Sequence, residues 1–202
     1  QIYLGQAGIR FAYAPGCNAS AVVQYVFSVL CQLCPDWESK TVGIIGCGNV
    51  GNLLRKKLLS LNVSCSVYDP FLASLEGSEL SDLNHVVSSD IVTVHTPLTF
   101  DGPHPTAKMI SQEIIDEMKE GALLINAARG EVIDSKALLQ RLKFGKHLKV
   151  ALDVWESEPN IDIDLMEKVD LATPHIAGYS VDGKRAGTAM IYKEFLIWME
   201  VP

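Results

Sequence analysis

Three residues of different chemistry each follow a short apolar run: Arg129 in INAARG, Glu158 in ALDVWESEP and His175 in ATPHIAGYS. A cation, a carboxylate and an imidazole are the groups required to take a hydride from a 2-hydroxy acid. The imidazole accepts the hydroxyl proton, the carboxylate orients and supports it, and the guanidinium holds the substrate carboxylate and polarises the carbonyl that forms. Singly, each has an ordinary reading: a loop histidine after Pro174, a surface arginine before Glu131, a solvated carboxylate before Pro159. What sets them apart is position. Each lies at or just past the C-terminal end of a predicted strand, the edge where open parallel sheets bind ligands.

A fourth strand end carries glycines. TVGIIGCGNVG places a buried strand before Gly46, Gly48 and Gly51, with Asn49 and Val50 between them, and the periodic stretch NLLRKKLLSL after them. The first glycine serves a tight turn, the second a close approach of backbone to a pyrophosphate, and the third close helix–strand contact. The helix N-terminus then faces the diphosphate with unpaired N–H groups. Asp69 falls 18 residues beyond Gly51 at the end of the next predicted strand. A carboxylate there accepts from both ribose hydroxyls and repels a 2′-phosphate, which points to NAD rather than NADP.

The elements that must carry these residues alternate between β-like and helical periods, the pattern of a Rossmann-type, doubly wound parallel α/β sheet. Strands are predicted over 41–45, 64–68, 91–95, 122–125, 149–152 and 170–172, mostly as short apolar runs because both sheet faces are covered. Helices are predicted over 50–61, 80–87, 111–118 and 135–143, the last capped by Asp134. Two longer helices, 19–34 (stopped by Pro35) and 181–199, frame the unit. The chain opens without a methionine or a signal pattern and stops after a helix. It therefore reads as an interior segment of a longer polypeptide, with Pro15-Gly16 as a hinge.

Composition removes other classes. A net charge of -7 disfavours nucleic acid and anionic membrane as partners, and no run of eighteen apolar residues offers a membrane span. Cys31 and Cys34 form a C-x-x-C, but no second ligand pair accompanies it. It reads as two thiols one turn apart in a helix core rather than a metal site, and no metal is expected. Reduced thiols fit a cytoplasmic protein. Lys184 and Arg185 lie near Tyr179 as candidates for a substrate phosphate; the favoured reading is a solvated first helical turn.

HTPL (95–98), INAARGEVID (125–134), DVWESEP (153–159) and PHIAG (174–178) resemble the D-isomer-specific 2-hydroxyacid dehydrogenases. Within that family, segments 14–27, 95–106 and 175–188 are similar to the branch that oxidises 4-phospho-D-erythronate to 2-oxo-3-hydroxy-4-phosphobutanoate in pyridoxal 5′-phosphate synthesis. The resemblance implies that Arg129, Glu158 and His175 are catalytic and that Arg129 also borders the cofactor. It further implies that Asp153 holds the nicotinamide carboxamide, that Thr96, Ala127 and Gly178 line NAD, and that Tyr179 touches a small phosphorylated 2-hydroxy acid. It also implies remnants of a second, flavodoxin-like substrate domain at 1–15 and 180–202 around an NAD-binding domain at 16–179, and a homodimer for the full-length protein. Two other readings fit the same residues: a dehydrogenase of 3-phosphoglycerate or another D-2-hydroxy acid, and a non-catalytic NAD-sensing module.

Overall fold

The computed structural model describes residues 2–75 and 79–200. A short helix α1 (Ile2–Gln6) and an irregular segment lead into α2 (Ala19–Leu33). The alternating unit follows as β1 (Val42–Ile45), α3 (Asn49–Ser60), β2 (Cys65–Tyr68), β3 (Glu79–Leu80), α4 (Leu83–Val87), β4 (Ile91–Val94), α5 (Gln112–Glu117) and β5 (Leu123–Asn126). It continues through α6 (Ser135–Phe144), β6 (Lys149–Leu152), α7 (Ile163–Met166) and β7 (Leu171–Ala172), and α8 (Val181–Trp198) closes it. Among the described residues the strands form one parallel sheet in the order β3-β2-β1-β4-β5-β6-β7, the doubly wound order with its reversal between β1 and β4.

Alternation along each strand sends successive side chains into two separate cores. Ile45, Val92, Val94, Leu124, Val150 and Leu152 pack under α4, α5 and α6. Val42, Ile44, Ile91, Leu123, Ile125 and Ala151 pack under α2 and α3. The central strands are therefore largely apolar on both faces, and β1, β4 and β5 are buried end to end, with Thr93 and Asn126 as the polar residues among them.

Register fixes the site. Tyr68, Ile45, Val94, Asn126, Leu152 and Ala172 are paired across the sheet in one row at the strand ends. The next residue of each strand, Asp69, Gly46, His95, Ala127, Asp153 and Thr173, consequently lies along a single C-terminal edge.

Some boundaries differ from expectation. The helix expected over 80–87 begins only at Leu83, because Leu80 pairs with Val67 in β3 and Asp82 caps the helix, its carboxylate accepting from His85 N–H at 2.7 Å. Helix α1 ends at Gln6, just before Gly8 at φ +69°, the glycine at which the sequence suggests a helix end. Helix α7, of four residues, has no counterpart among the predicted elements because it is too short to show a helical period. Cys31 is exposed rather than in a core, since the buried face of α2 runs through Val22, Val23, Val26, Val29 and Leu30. The expected cap of α6 is present, with Asp134 accepting from the N–H groups of Lys136 and Ala137 at 3.1 Å each. No described helix is long and apolar enough to cross a membrane.

Candidate active site

At the end of β1 the chain turns through Gly46 at φ +88°, where a Cβ would stand 2.8 Å from Thr96 Cγ2. Gly51, in the first turn of α3, touches the same turn. A Cβ there would lie 2.0 Å from the Gly46 carbonyl oxygen, a separation no real side chain tolerates. Gly48 caps α3 without a side chain to satisfy its free N–H groups, and open space lies where its Cβ would be. The helix N-terminus is thus bare and accessible, the condition for binding a diphosphate through backbone N–H groups and the helix dipole.

Asp69 braces this turn. Its Oδ2 accepts from Cys47 N–H at 2.9 Å and its Oδ1 from Phe71 N–H at 3.1 Å. Gly46, Gly48, Asp69 and Thr96 line one cavity of about 410 Å³, within the range of small-ligand sites. Thr96 Oγ1 is buried without a hydrogen-bond partner, and a buried hydroxyl left unpaired is costly unless a ligand satisfies it. A glycine turn with open space beside Gly48, a carboxylate at the next strand end and an orphaned hydroxyl together fit a dinucleotide.

Sequence reasoning did not find the far wall of this cavity. Phe71, just beyond β2, and His104 meet edge to face with ring centroids 5.5 Å apart, His104 standing on a loop tied at its neck by Thr99 and Thr106. Their separation in sequence gives no pattern that would pair them. His95, at the end of β4, also lines it and shares a 2.9 Å hydrogen bond with Thr93 Oγ1. Although the residue is only partly buried by surface, desolvation of its ring pushes the pKa down to about 4.

Three further strand ends supply the polar groups. Beyond β6, Glu158 Oε1 accepts from Trp155 N–H at 2.7 Å, which turns Oε2 toward His175 Nδ1 at 2.8 Å. His175 itself sits at φ +56°, a conformation non-glycine residues rarely adopt. It is held there by its N–H donating to the Asp153 carbonyl at 2.7 Å. Partial burial pushes the Glu158 carboxyl up. The hydrogen bonds from His175 and Trp155, with the charges of His175 and Arg129, outweigh burial and hold it below its ordinary value. Arg129 therefore acts on the same carboxylate that grips the histidine. Glu158 and His175 are joined directly, whereas Arg129 bears on Glu158 through its charge while its Nη1 donates to the Ala128 carbonyl at 2.6 Å; His175 and Arg129 are both exposed to solvent.

Asp153 is 1% exposed, and its oxygens take three donors from the following loop. They are Thr173 Oγ1 at 2.6 Å, Ile176 N–H at 2.8 Å and Ala177 N–H at 2.8 Å. Its carboxylate thus secures the segment that carries His175. Gly178 lies against Asn18 at the start of α2, where a Cβ would come within 2.5 Å of Nδ2. Tyr179 is 71% exposed, and the Lys184 ammonium lies 3.7 Å from its ring centroid, a cation–π contact rather than a free cation awaiting an anion.

A parallel sheet in doubly wound order, with a glycine turn and a carboxylate–imidazole–guanidinium group on one edge, defines a dinucleotide-binding unit of the dehydrogenase type. Residues 30–177 match the NAD binding domain of the D-isomer specific 2-hydroxyacid dehydrogenases, and the chain belongs to that family. It is 51% identical to an erythronate-4-phosphate dehydrogenase of Teredinibacter turnerae, over 96% of this chain and 54% of that protein. To the protein of the same name from Cellvibrio japonicus it is 45% identical, over 96% of this chain and 51% of the other. The chain thus spans about half the length of these curated relatives. A crystal structure of D-lactate dehydrogenase from Aquifex aeolicus, complexed with NAD and lactic acid, superposes with a TM-score of 0.81. At 23% identity, over 99% of this chain and 72% of that one, it shows the shared fold.

Proposed function

We propose that the protein containing this chain oxidises 4-phospho-D-erythronate to 2-oxo-3-hydroxy-4-phosphobutanoate with NAD, a step in pyridoxal 5′-phosphate synthesis. The observation that carries the chemistry is the 2.8 Å His175–Glu158 hydrogen bond, under the influence of Arg129, on the sheet edge that also bears the glycine turn. The choice of substrate is supported by the names of the relatives at 45 to 51% identity.

NAD, when bound, supplies the hydride acceptor; its diphosphate is assigned to the backbone of Gly46, Gly48, Asn49, Val50 and Gly51, and its ribose to Asp69. Thr96, Ala127 and Gly178 line it further. Asp153 is assigned to the nicotinamide end, where its buried carboxylate also shapes the 173–177 loop. Arg129 binds the substrate carboxylate, and Tyr179 borders the rest of the substrate. With Glu158 accepting the Nδ1–H, neutral His175 presents Nε2 as the base. With NAD in place as hydride acceptor, the substrate hydroxyl proton would pass to Nε2. The imidazolium so formed is stabilised by the Glu158 carboxylate already in place.

Residues 16–179 form the NAD-binding domain in this reading, and 1–15 and 180–202 belong with the substrate domain. The surface there supports the division: Phe11, Phe195, Ile197 and Trp198 are exposed around a groove between the leading segment and α8. The reading places a homodimer in the cytoplasm, consistent with five free thiols. Steady-state assays of the full-length protein should give a kcat/KM for 4-phospho-D-erythronate about tenfold or more above that for 3-phosphoglycerate. The reverse order would assign the protein to phosphoglycerate oxidation instead.

A further inference from the structure

Asn126 ends β5 as a polar residue on an otherwise apolar strand, LLIN, and it is 1% exposed. Both ends of its amide are engaged. Oδ1 accepts from Ala128 N–H at 3.0 Å, and Nδ2 donates to the Arg129 carbonyl at 2.9 Å. The side chain thereby closes the turn 126–129 upon itself and fixes the backbone from which the Arg129 side chain departs. The Asn126 carbonyl meanwhile accepts from Asp153 N–H at 2.9 Å, and the Asp153 carbonyl accepts from His175 N–H at 2.7 Å. One buried residue is therefore bonded directly to the arginine loop and, through a single intermediary, to the histidine.

On its other side the same turn has no freedom to drift. Gly130 follows Arg129 so closely against the next strand end that a Cβ would stand 2.0 Å from the Trp155 carbonyl carbon. The turn is clamped between its own asparagine and the segment that carries Glu158. Neutral amide–backbone bonds of this length are strong where water is excluded, and an amide that satisfies one N–H and one C=O has no apolar replacement.

We propose that Asn126 is a positioning residue for the reaction, setting the guanidinium of Arg129 at its distance from the His175–Glu158 pair. It touches neither substrate nor cofactor in this role and acts through Arg129, so the inference rests on the substrate-binding reading of Arg129. Small displacements of a binding group lower turnover steeply, by about 100-fold for roughly 1 Å.

The test is a double-mutant cycle in the full-length protein, with Asn126→Ala, Arg129→Ala and the pair, reading kcat/KM for the 2-hydroxy acid and the NAD dissociation constant. Asn126→Ala should lower kcat/KM by about 10- to 100-fold while leaving NAD affinity within about twofold, and in the Arg129→Ala background it should cause little further loss. Equal losses in both backgrounds would overturn the inference, because a residue needed only for folding subtracts regardless of Arg129. Should Asn126→Ala fail to fold, Asn126→Ser serves in the same cycle, since its shorter side chain stays polar but cannot span both Ala128 N–H and the Arg129 carbonyl. An Arg129→Ala protein as active as wild type would instead refute the reading of Arg129 itself.

Discussion

Gly48 and Gly51 separate two reasons for a glycine within four residues of chain. At Gly51 the obstruction is the protein's own backbone, the Gly46 carbonyl oxygen 2.0 Å from a Cβ; at Gly48 nothing lies within 4 Å. Gly51→Ala should therefore force α3 away from β1, lowering the melting temperature by several degrees and weakening NAD together. Gly48→Ala should melt within about a degree of wild type yet bind NAD about tenfold or more weakly, since its methyl group enters the space left for diphosphate. Calorimetric titration beside thermal melts distinguishes the two. This part of the site was legible in the sequence because a glycine turn, its strand and its helix are contiguous. Asn126 was not, because the amide that closes a turn looks in sequence like any polar residue leaving a strand. Asp153 was named through the family resemblance, whereas its three bonds to Thr173, Ile176 and Ala177 depend on a segment twenty residues on, past another strand.

At the scale of elements, α6 is held by a residue that no motif marks. Arg141 is buried, donating from Nε to the Lys146 carbonyl at 2.7 Å and from Nη1 and Nη2 to the carbonyls of Ile115 and Met118 at 3.2 Å each. It thus bonds carbonyls at the C-terminal end of α5, that of Ile115 (which also accepts from Met118 N–H at 3.3 Å) and that of Met118 at the cap, and joins that helix to α6. Arg141→Ala should destabilise the protein by about 2–4 kcal/mol in denaturant titration, with NAD affinity unchanged, because the pair lies away from the ligand edge. Long strands and long helices followed their periods closely, and Asp134 announced the start of α6. The boundary at Leu83 was missed because the apolar spacing of 80–87 suits a helix, while Leu80 is claimed by pairing with Val67. Tertiary pairing overrode local propensity there.

For the molecule as a whole, the register row from Tyr68 to Ala172 explains why residues more than a hundred positions apart share one edge. The same packing ties stability to pH. His95 is held near pKa 4, against an unfolded value of about 6.5. Between those values the unfolded chain binds the extra proton, so stability is full above about pH 6.5 and declines as pH falls toward 4. The loss is at most about 3–4 kcal/mol. His95→Gln should flatten that part of the profile in melts taken from pH 7 to 4.5; an unchanged acid slope would place its origin elsewhere. Whole-chain composition disfavoured nucleic acid and anionic membrane as partners but offered nothing about register, which is set only once the two cores form.

The proposed function makes His175, gripped by Glu158 at 2.8 Å, the base that lets bound NAD oxidise a phosphorylated 2-hydroxy acid. Its most direct test compares full-length wild type with His175→Ala in NAD-dependent oxidation of 4-phospho-D-erythronate, with the NAD dissociation constant measured on both. The account predicts a fall in kcat of about 100-fold or more with NAD affinity preserved within about twofold. Equal rates for the two proteins, with NAD still bound, would contradict it and leave a dinucleotide-sensing module in its place.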